Sequence, residues 1–330
     1  MVVVEVNGYT IEPWANLIEA NLNGADLNGA NLAGANLTEA NLFVADLTGA
    51  TLALATLIEA NLASATLIEA NLNSASLIGA NLTGADLASA DLASANLTSA
   101  NLGAANLVGA NFGMATLAEA NLEKANLTGA DLTAAILWNA NLASANLTGA
   151  NFGAANLNSA SLIGANLTGA SLTQANLSEA NLSSANLTSA NLGQANLWKA
   201  NVEEANLTEA NLLSASPTQA NLTGADLTGA DLNMAILWNA NLTGANLTGA
   251  DLALALLADV DLSSADLTGA DLNSANLLRA NLKGADLTGA DLTGANLTGA
   301  DLTGTVADGS TKWPDGFEPE MAGVTIEAGP

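Results

Sequence analysis

The chain has 330 residues, with 5 Lys or Arg against 32 Asp or Glu, and a formal net charge of −27. It holds no Cys and no His, which removes disulfides, thiolate metal sites, cysteine nucleophiles and the commonest general base. Five cations cannot build a basic nucleic-acid surface. Half of the residues are hydrophobic but only 3% are aromatic, so a core must be made of Leu and Ala.

The N-terminal stretch Met1–Val6 is apolar, yet it carries Glu5 and lacks a basic start and a small-residue cleavage site. It does not read as a signal peptide. No run of about 18 uncharged apolar residues follows, so no membrane span is expected, and a cytoplasmic protein is the expectation. Three segments are expected: an N-terminal cap over 1–14, a repeat array over 15–304, and an irregular C-terminal cap or tail over 305–330. Within the first, Val2–Ile11 is expected to close one end of the array.

From Ala15 to Gly304 the sequence reads Ala-(Asn/Asp)-Leu-x-x through 58 units without insertion or deletion. Ala opens 57 of them, Val260 being the exception, and Leu is the centre of 54, the others being Phe112, Phe152, Val202 and Pro217. A period of five fits neither a helix nor a strand. A helix would smear these Leu residues around its surface, and a strand would throw alternate ones to opposite faces. The chain must therefore turn every five residues, with Ala and Leu inward and three positions outward. Stacking such turns at the ~4.8 Å strand spacing lets the backbone pair with the turns above and below. Small Ala beside large Leu fills a narrow interior without voids, and leaves no room inside for a substrate.

These repeats resemble the pentapeptide repeat proteins. The segments Asn7-Gly8-Tyr9-Thr10-Ile11 and Thr311-Lys312-Trp313-Pro314-Asp315-Gly316-Phe317 are similar to the flanks of such arrays in cyanobacteria. The resemblance implies an all-β fold, a right-handed quadrilateral parallel β-helix with four pentapeptides per coil. On that basis 58 units make about 14.5 coils and a rod of roughly 70 Å. The tail is read as irregular rather than helical because of Pro314, Pro319 and its glycines, with Trp313, Phe317 and Val324 covering the last coil.

With 20 residues per coil, positions equal modulo 20 share a column. Trp138, Trp198 and Trp238 then fall in one column with Ile18, Ile58, Ile78 and Leu278, on the face centred on Leu17. Ile136, Ile236 and Leu256 replace Asn or Asp on the same face. Such a concentration of apolar groups points to an interaction surface; the competing reading is indoles lying flat over small neighbours. Asp231, Asp251, Asp271 and Asp291 form an acidic column, with Asp226, Asp266 and Asp286 beside it. This reads as a solvated stripe, with cation binding as the other option. Nine threonines from Thr128 to Thr288 form a third column, which resembles an ice-binding rank but lacks a second rank beside it. Phe112 and Phe152 read as local core packing. Pro217 reads as a weak point in the ladder.

The expected function is a non-enzymatic structural or protein-binding scaffold, an acidic rod that uses its apolar face for self-association or for docking an unknown protein partner. The resemblance implies an alternative, a DNA-mimic protein that binds a type II topoisomerase such as gyrase. Between Ala15 and Gly304 there are 25 acids and four bases, which over the expected rod gives about half the charge density of duplex DNA. Ser and Thr have no His partner, Lys124, Lys199, Lys283 and Lys312 read as isolated, and Glu203-Glu204 has no cleft. No catalysis, cofactor, metal, direct nucleic-acid binding or small-molecule ligand is expected.

Overall fold

A computed structural model describes residues 4–327. Val2 and Val3 of the expected N-terminal cap, and the last three residues of the expected C-terminal one, lie outside them. The chain divides into two compact units, Met1–Asn166 and Leu167–Pro330. Both are built the same way. In the first unit, residues before successive core centres pair in parallel at a spacing of 20, from Asn16 with Asn36 to Asn146 with Asn166. In the second the same spacing runs from Ser171 with Asn191 to Asp286 with Val306. One turn thus takes 20 residues, or four pentapeptides.

The unit Asn36–Ala40 shows why these residue types recur. Asn36 N–H donates to the Ala15 carbonyl at 2.9 Å, Leu37 N–H to Thr56 at 2.7 Å, and Glu39 N–H to Ile58 at 2.9 Å. Ala40 N–H closes the corner onto the Leu37 carbonyl at 3.0 Å. One donor remains, Thr38 N–H, and the Asn36 side-chain Oδ1 accepts it at 3.1 Å. All five N–H groups are satisfied, four by backbone and one by the Asn or Asp side chain. The recurrent Asn/Asp is therefore a built-in acceptor for a backbone donor that neither neighbouring turn reaches. The Thr38 hydroxyl donates to the same oxygen at 2.7 Å.

The fourth residue of each unit holds a left-handed conformation, φ 57° at Glu39 and 62° at Gly49. That is the positive φ a type II turn demands at its third residue, and it explains why Gly is frequent there. Inside, the Leu centres and the Ala rows are almost fully buried, with Phe112 and Phe152 also at 0% exposure. Nothing polar from the repeat centres competes for that space. Val202 and Val260 are buried as well.

Pro217 occupies a buried centre without an N–H. The equivalent donors above and below, Leu197 and Leu237, reach Ser216 at 3.0 Å and Leu256 at 2.8 Å. The acceptor that Pro217 cannot serve is the Ile236 carbonyl. It receives the Thr218 hydroxyl instead, at 3.2 Å. Ser216 stands where Asn is usual, and its hydroxyl lies 3.1 Å from that of Thr218. Thr218→Val should lower the stability of the second unit by about 1 kcal/mol, and Thr218→Ser should restore most of it. Urea titration checks both, and a Val variant as stable as the parent refutes this role of the hydroxyl.

Both ends carry short strands. β1 (Val4–Val6) pairs antiparallel with β2 (Tyr9–Ile11), joined by Asn7-Gly8 at φ 53° and 83°, the signature of a type I′ hairpin. The Tyr9 hydroxyl accepts the Asn21 N–H at 3.1 Å, tying the hairpin to the first repeats.

The tail departs from the expected irregular chain. β3 (Val306–Asp308) continues the stack, and β4 (Thr325–Glu327) pairs with it in parallel. A single 3-10 turn, Glu320–Ala322, separates them and ends at Gly323, φ 90°. The prolines block an α-helix but leave the last turn's open edge, which β4 covers. Trp313 and Phe317 stack at 5.2 Å and are half-buried, while Val324 is buried. Thr305 and Thr311 are buried too, and they cap the Leu282 and Leu287 carbonyls through their hydroxyls at 2.8 and 2.9 Å. Lys312 then pairs with Asp291, a spacing of 21.

Candidate interaction face

The face centred on Leu17 has three outward columns: the corner before it, the position before the centre, and the corner after it. In the first unit Ile18, Ile58, Ile78 and Trp138 stand at the later corner, with Ile136 before the centre. In the second, Trp198, Trp238 and Leu278 stand at the later corner, with Ile236 and Leu256 before the centre. Ile18, Ile136, Trp138, Trp198 and Trp238 are exposed, and Ile58, Ile78, Ile236, Leu256 and Leu278 are half-buried. Ile236 and Leu256 pair directly across adjacent turns.

Two of the indoles have work within their own units. Ala118 and Ser178, one turn before Trp138 and Trp198 in the same column, are only 2% and 6% exposed. Thr38 and Thr98 at that position stay half-buried. This low exposure beside the two Trp positions is what the competing reading expects. Trp198 also carries the Lys199 ammonium 4.4 Å from its ring centre, a cation–π contact.

The structure adds a column that the sequence reading passed over. Trp14, Leu54 and Met114 stand at the earlier corner in the first unit, and Met234 and Leu254 stand at the corresponding corner in the second. They are 52–72% exposed, more than any of the column-forming Trp residues. All five are left-handed, φ 57–63°, where a bulky L-residue is disfavoured. Their residue numbers are equal modulo 20, so the signal was present in the sequence.

The acidic column is structured by hydrogen bonds. Asp231, Asp251, Asp271 and Asp291 each accept a backbone N–H two residues on, at 2.9–3.0 Å. Mutual repulsion does not raise Asp291: the Lys312 ammonium at 2.8 Å, then Thr293, hold it down to about 2. Burial pushes Asp266 up, but the Thr268 hydroxyl and N–H and the Thr248 hydroxyl outweigh it and leave the carboxyl below its ordinary value. No cluster of three or more acids among the described residues has metal-site geometry.

The threonine column is engaged in the same way. The Thr128 hydroxyl donates to Asn126 Oδ1 at 2.7 Å and accepts from Asn146 Nδ2 at 3.0 Å. The Thr148 and Thr168 hydroxyls likewise accept from the Asn of the next turn, at 3.0 Å each, so these three hydroxyls link turns.

The lysines are less isolated than their sequence context implies. Lys124 pairs with Glu123, Lys283 with Asp301 and Lys312 with Asp291, at 2.8–3.0 Å. Arg279 forks onto Asp259 at 2.7 and 2.5 Å, and that hydrogen bonding holds Asp259 below the usual carboxylate range. The partners are separated by about one turn in all but the first pair, so linear spacing conceals them. A shallow cleft of about 300 Å³ lies between Ala295–Thr298 and Pro314–Phe317. No helix among the described residues is long and apolar enough to cross a membrane.

The model of the family described as "Pentapeptide repeats (8 copies)" matches overlapping segments that run from 15 to 304. Among solved structures, the chain is similar to HetL, a pentapeptide repeat protein involved in heterocyst differentiation regulation from the cyanobacterium Nostoc sp. strain PCC 7120. The identity is 38%, over 72% of this chain and 90% of that one, with a TM-score of 0.42. It is also similar to a pentapeptide repeat protein from the thylakoid lumen of Arabidopsis thaliana (39% identity, 27% of this chain and 61% of that one, TM-score 0.26). A third is the pentapeptide repeat protein Rfr23 from the cyanobacterium Cyanothece 51142 (37% identity, 34% and 87%, TM-score 0.19). No curated protein sequence matches the chain. The match of the repeat model to nearly all of the array, on the 20-residue parallel pairing described above, places the chain in the pentapeptide repeat family.

Proposed function

We propose that the protein is a non-enzymatic binding scaffold that docks a protein, or a second copy of itself, through the Leu17 face. In this reading the array over 15–304 is a right-handed quadrilateral β-helix of about 14.5 coils, closed by caps over 1–14 and 305–330, and the protein works in the cytoplasm. One observation carries the reading. Ile136, Ile236 and Leu256 stand where Asn or Asp elsewhere accepts a backbone N–H. Their side chains offer no acceptor to the N–H of Trp138, Trp238 and Ala258. A local hydrogen bond is given up once in the first unit and twice in the second, each time to present an apolar group, which packing inside the turn does not reward.

The interior of Leu and Ala leaves no cavity for a substrate, and many of the Asp carboxylates and Thr hydroxyls outside are engaged in turn hydrogen bonds. The experiment is affinity capture with the unsubstituted chain and with Trp138→Ser plus Trp238→Ser. Loss of a bound protein, or of self-association, in the double variant supports the reading; identical capture and identical mass refute it. The runner-up is mimicry of DNA toward a type II topoisomerase, favoured by the charge of −27. A supercoiling assay with excess protein separates the two, since the scaffold reading expects no inhibition of gyrase.

A further inference from the structure

In the second unit, nine Asp residues stand before core centres, and their distribution over the four faces is uneven. Three lie in the column of Asp226, four in that of Asp231, two in that of Asp261, and none on the Leu17 face. Across five successive turns, the stretches 193–199, 213–219, 233–239, 253–259 and 273–279 hold only Lys199, Asp259 and Arg279 as charged groups. Asp259 and Arg279 neutralise each other. At the strand spacing these turns make a strip about 20 Å tall, uncharged but for Lys199, on a chain that is otherwise strongly acidic.

The apolar groups concentrate in the same strip. One turn presents Met234, Ile236 and Trp238, the next Leu254 and Leu256. Met234 and Leu254 are 52% and 53% exposed, at φ 58° and 59°. The left-handed φ is common to this corner in every unit; what sets these two apart is a large apolar side chain left half in water, which burial against another surface stabilises.

We propose that the cover is a second copy of this chain, seated strip against strip in an isologous, twofold dimer. The inference rests on the docking reading above and names its partner. Charge decides the occupant. A basic partner would be drawn to the three faces that carry the Asp columns, not to a strip whose one carboxylate, Asp259, is already paired with Arg279. Two copies at −27 each repel through those three faces and can approach closely only where the carboxylates are missing. Burying apolar area there drives association.

The test is sedimentation equilibrium of the full chain over about 0.1–100 µM. The unsubstituted chain is expected to dimerise, and to do so more tightly as salt screens the residual repulsion. Met234→Glu plus Leu254→Glu is expected to be monomeric across the range. Ser184→Glu plus Ser264→Glu adds the same charge at the corner where Glu204 already sits at φ 53°, and is expected to remain dimeric. Circular dichroism of both variants establishes that they are folded. A monomeric parent, a dimer that survives Met234→Glu plus Leu254→Glu, or one that weakens with salt overturns the proposal. The broader docking reading fails separately, by unchanged capture in the Trp138→Ser plus Trp238→Ser variant. A monomeric parent whose captured protein depends on those Trp residues sinks only the dimer.

Discussion

Phe112→Ala is expected to destabilise the first unit by about 3–5 kcal/mol, and Phe112→Leu by less than ~1.5 kcal/mol. Phe112 is fully buried, and its N–H is held by the Asp131 carbonyl at 2.6 Å. The loss therefore comes from the side chain alone. Ala leaves a cavity between the Leu92 and Leu132 layers, because the inter-turn ladder fixes the backbone and prevents collapse onto the void. Leu is the residue at 54 of the 58 centres, so it suits this wall and the void is small. Denaturant titration with thermal melts checks both variants. If Phe112→Leu is as damaging as Phe112→Ala, the ring has a specific role beyond filling space. Because turns contact mainly their neighbours, the damage should stay local. Hydrogen exchange should accelerate around the turns of Leu92 to Leu132 before it does near the N-terminal hairpin.

The same architecture determines what the sequence discloses. Burial of Leu and Ala was legible from the period of five, since no regular helix or strand satisfies it. The 20-residue turn was not, because period five is silent about how many sides close a coil; that number came from a resemblance, and the Asn16–Asn36 pairing now supplies it directly. The role of Asn and Asp was not legible. They look like surface polar residues, yet Asn36 Oδ1 accepts a backbone donor, which emerges only when every N–H is accounted for. Ion pairs such as Lys283 with Asp301 join residues that are neighbours only after the chain has gone once around. The aromatic column was legible by arithmetic. Its partner column, with Met234 and Leu254, has the same modulo-20 spacing, but Met and Leu are unremarkable in composition and their exposure shows only in the fold. The hairpin at Asn7-Gly8 was also available from the dipeptide, which was read only as part of a flank.

Removing five residues should be far less harmful than removing one. Asn241–Ala245 and Asn246–Ala250 are both Asn-Leu-Thr-Gly-Ala. Deleting the first leaves the second in its place, with the same inward Leu, the same corner Gly and the same side-chain acceptor. Every later residue then moves by one side of the coil, and each Leu still meets a Leu. Deleting Thr243 alone shortens one side to four residues. The Gly244 corner then falls where the N–H bound by Asn241 Oδ1 should be, at 3.0 Å in the parent, and the ladder from Leu242 to Asp261 loses register. The five-residue deletion is expected to retain cooperative unfolding, and the one-residue deletion to lose protection in the turns after residue 243. The functional consequence runs the other way. The quarter-turn shift carries Leu254 and Leu256 off the face that keeps Met234, Ile236 and Trp238, so the dimer should weaken about 30-fold or more, equivalent to ~2 kcal/mol. Hydrogen exchange reads the fold and sedimentation reads the association. A folded five-residue deletion that dimerises like the parent would show that alignment of the columns has no part in binding. Equal loss of protection in both deletions would show that the four sides are not interchangeable.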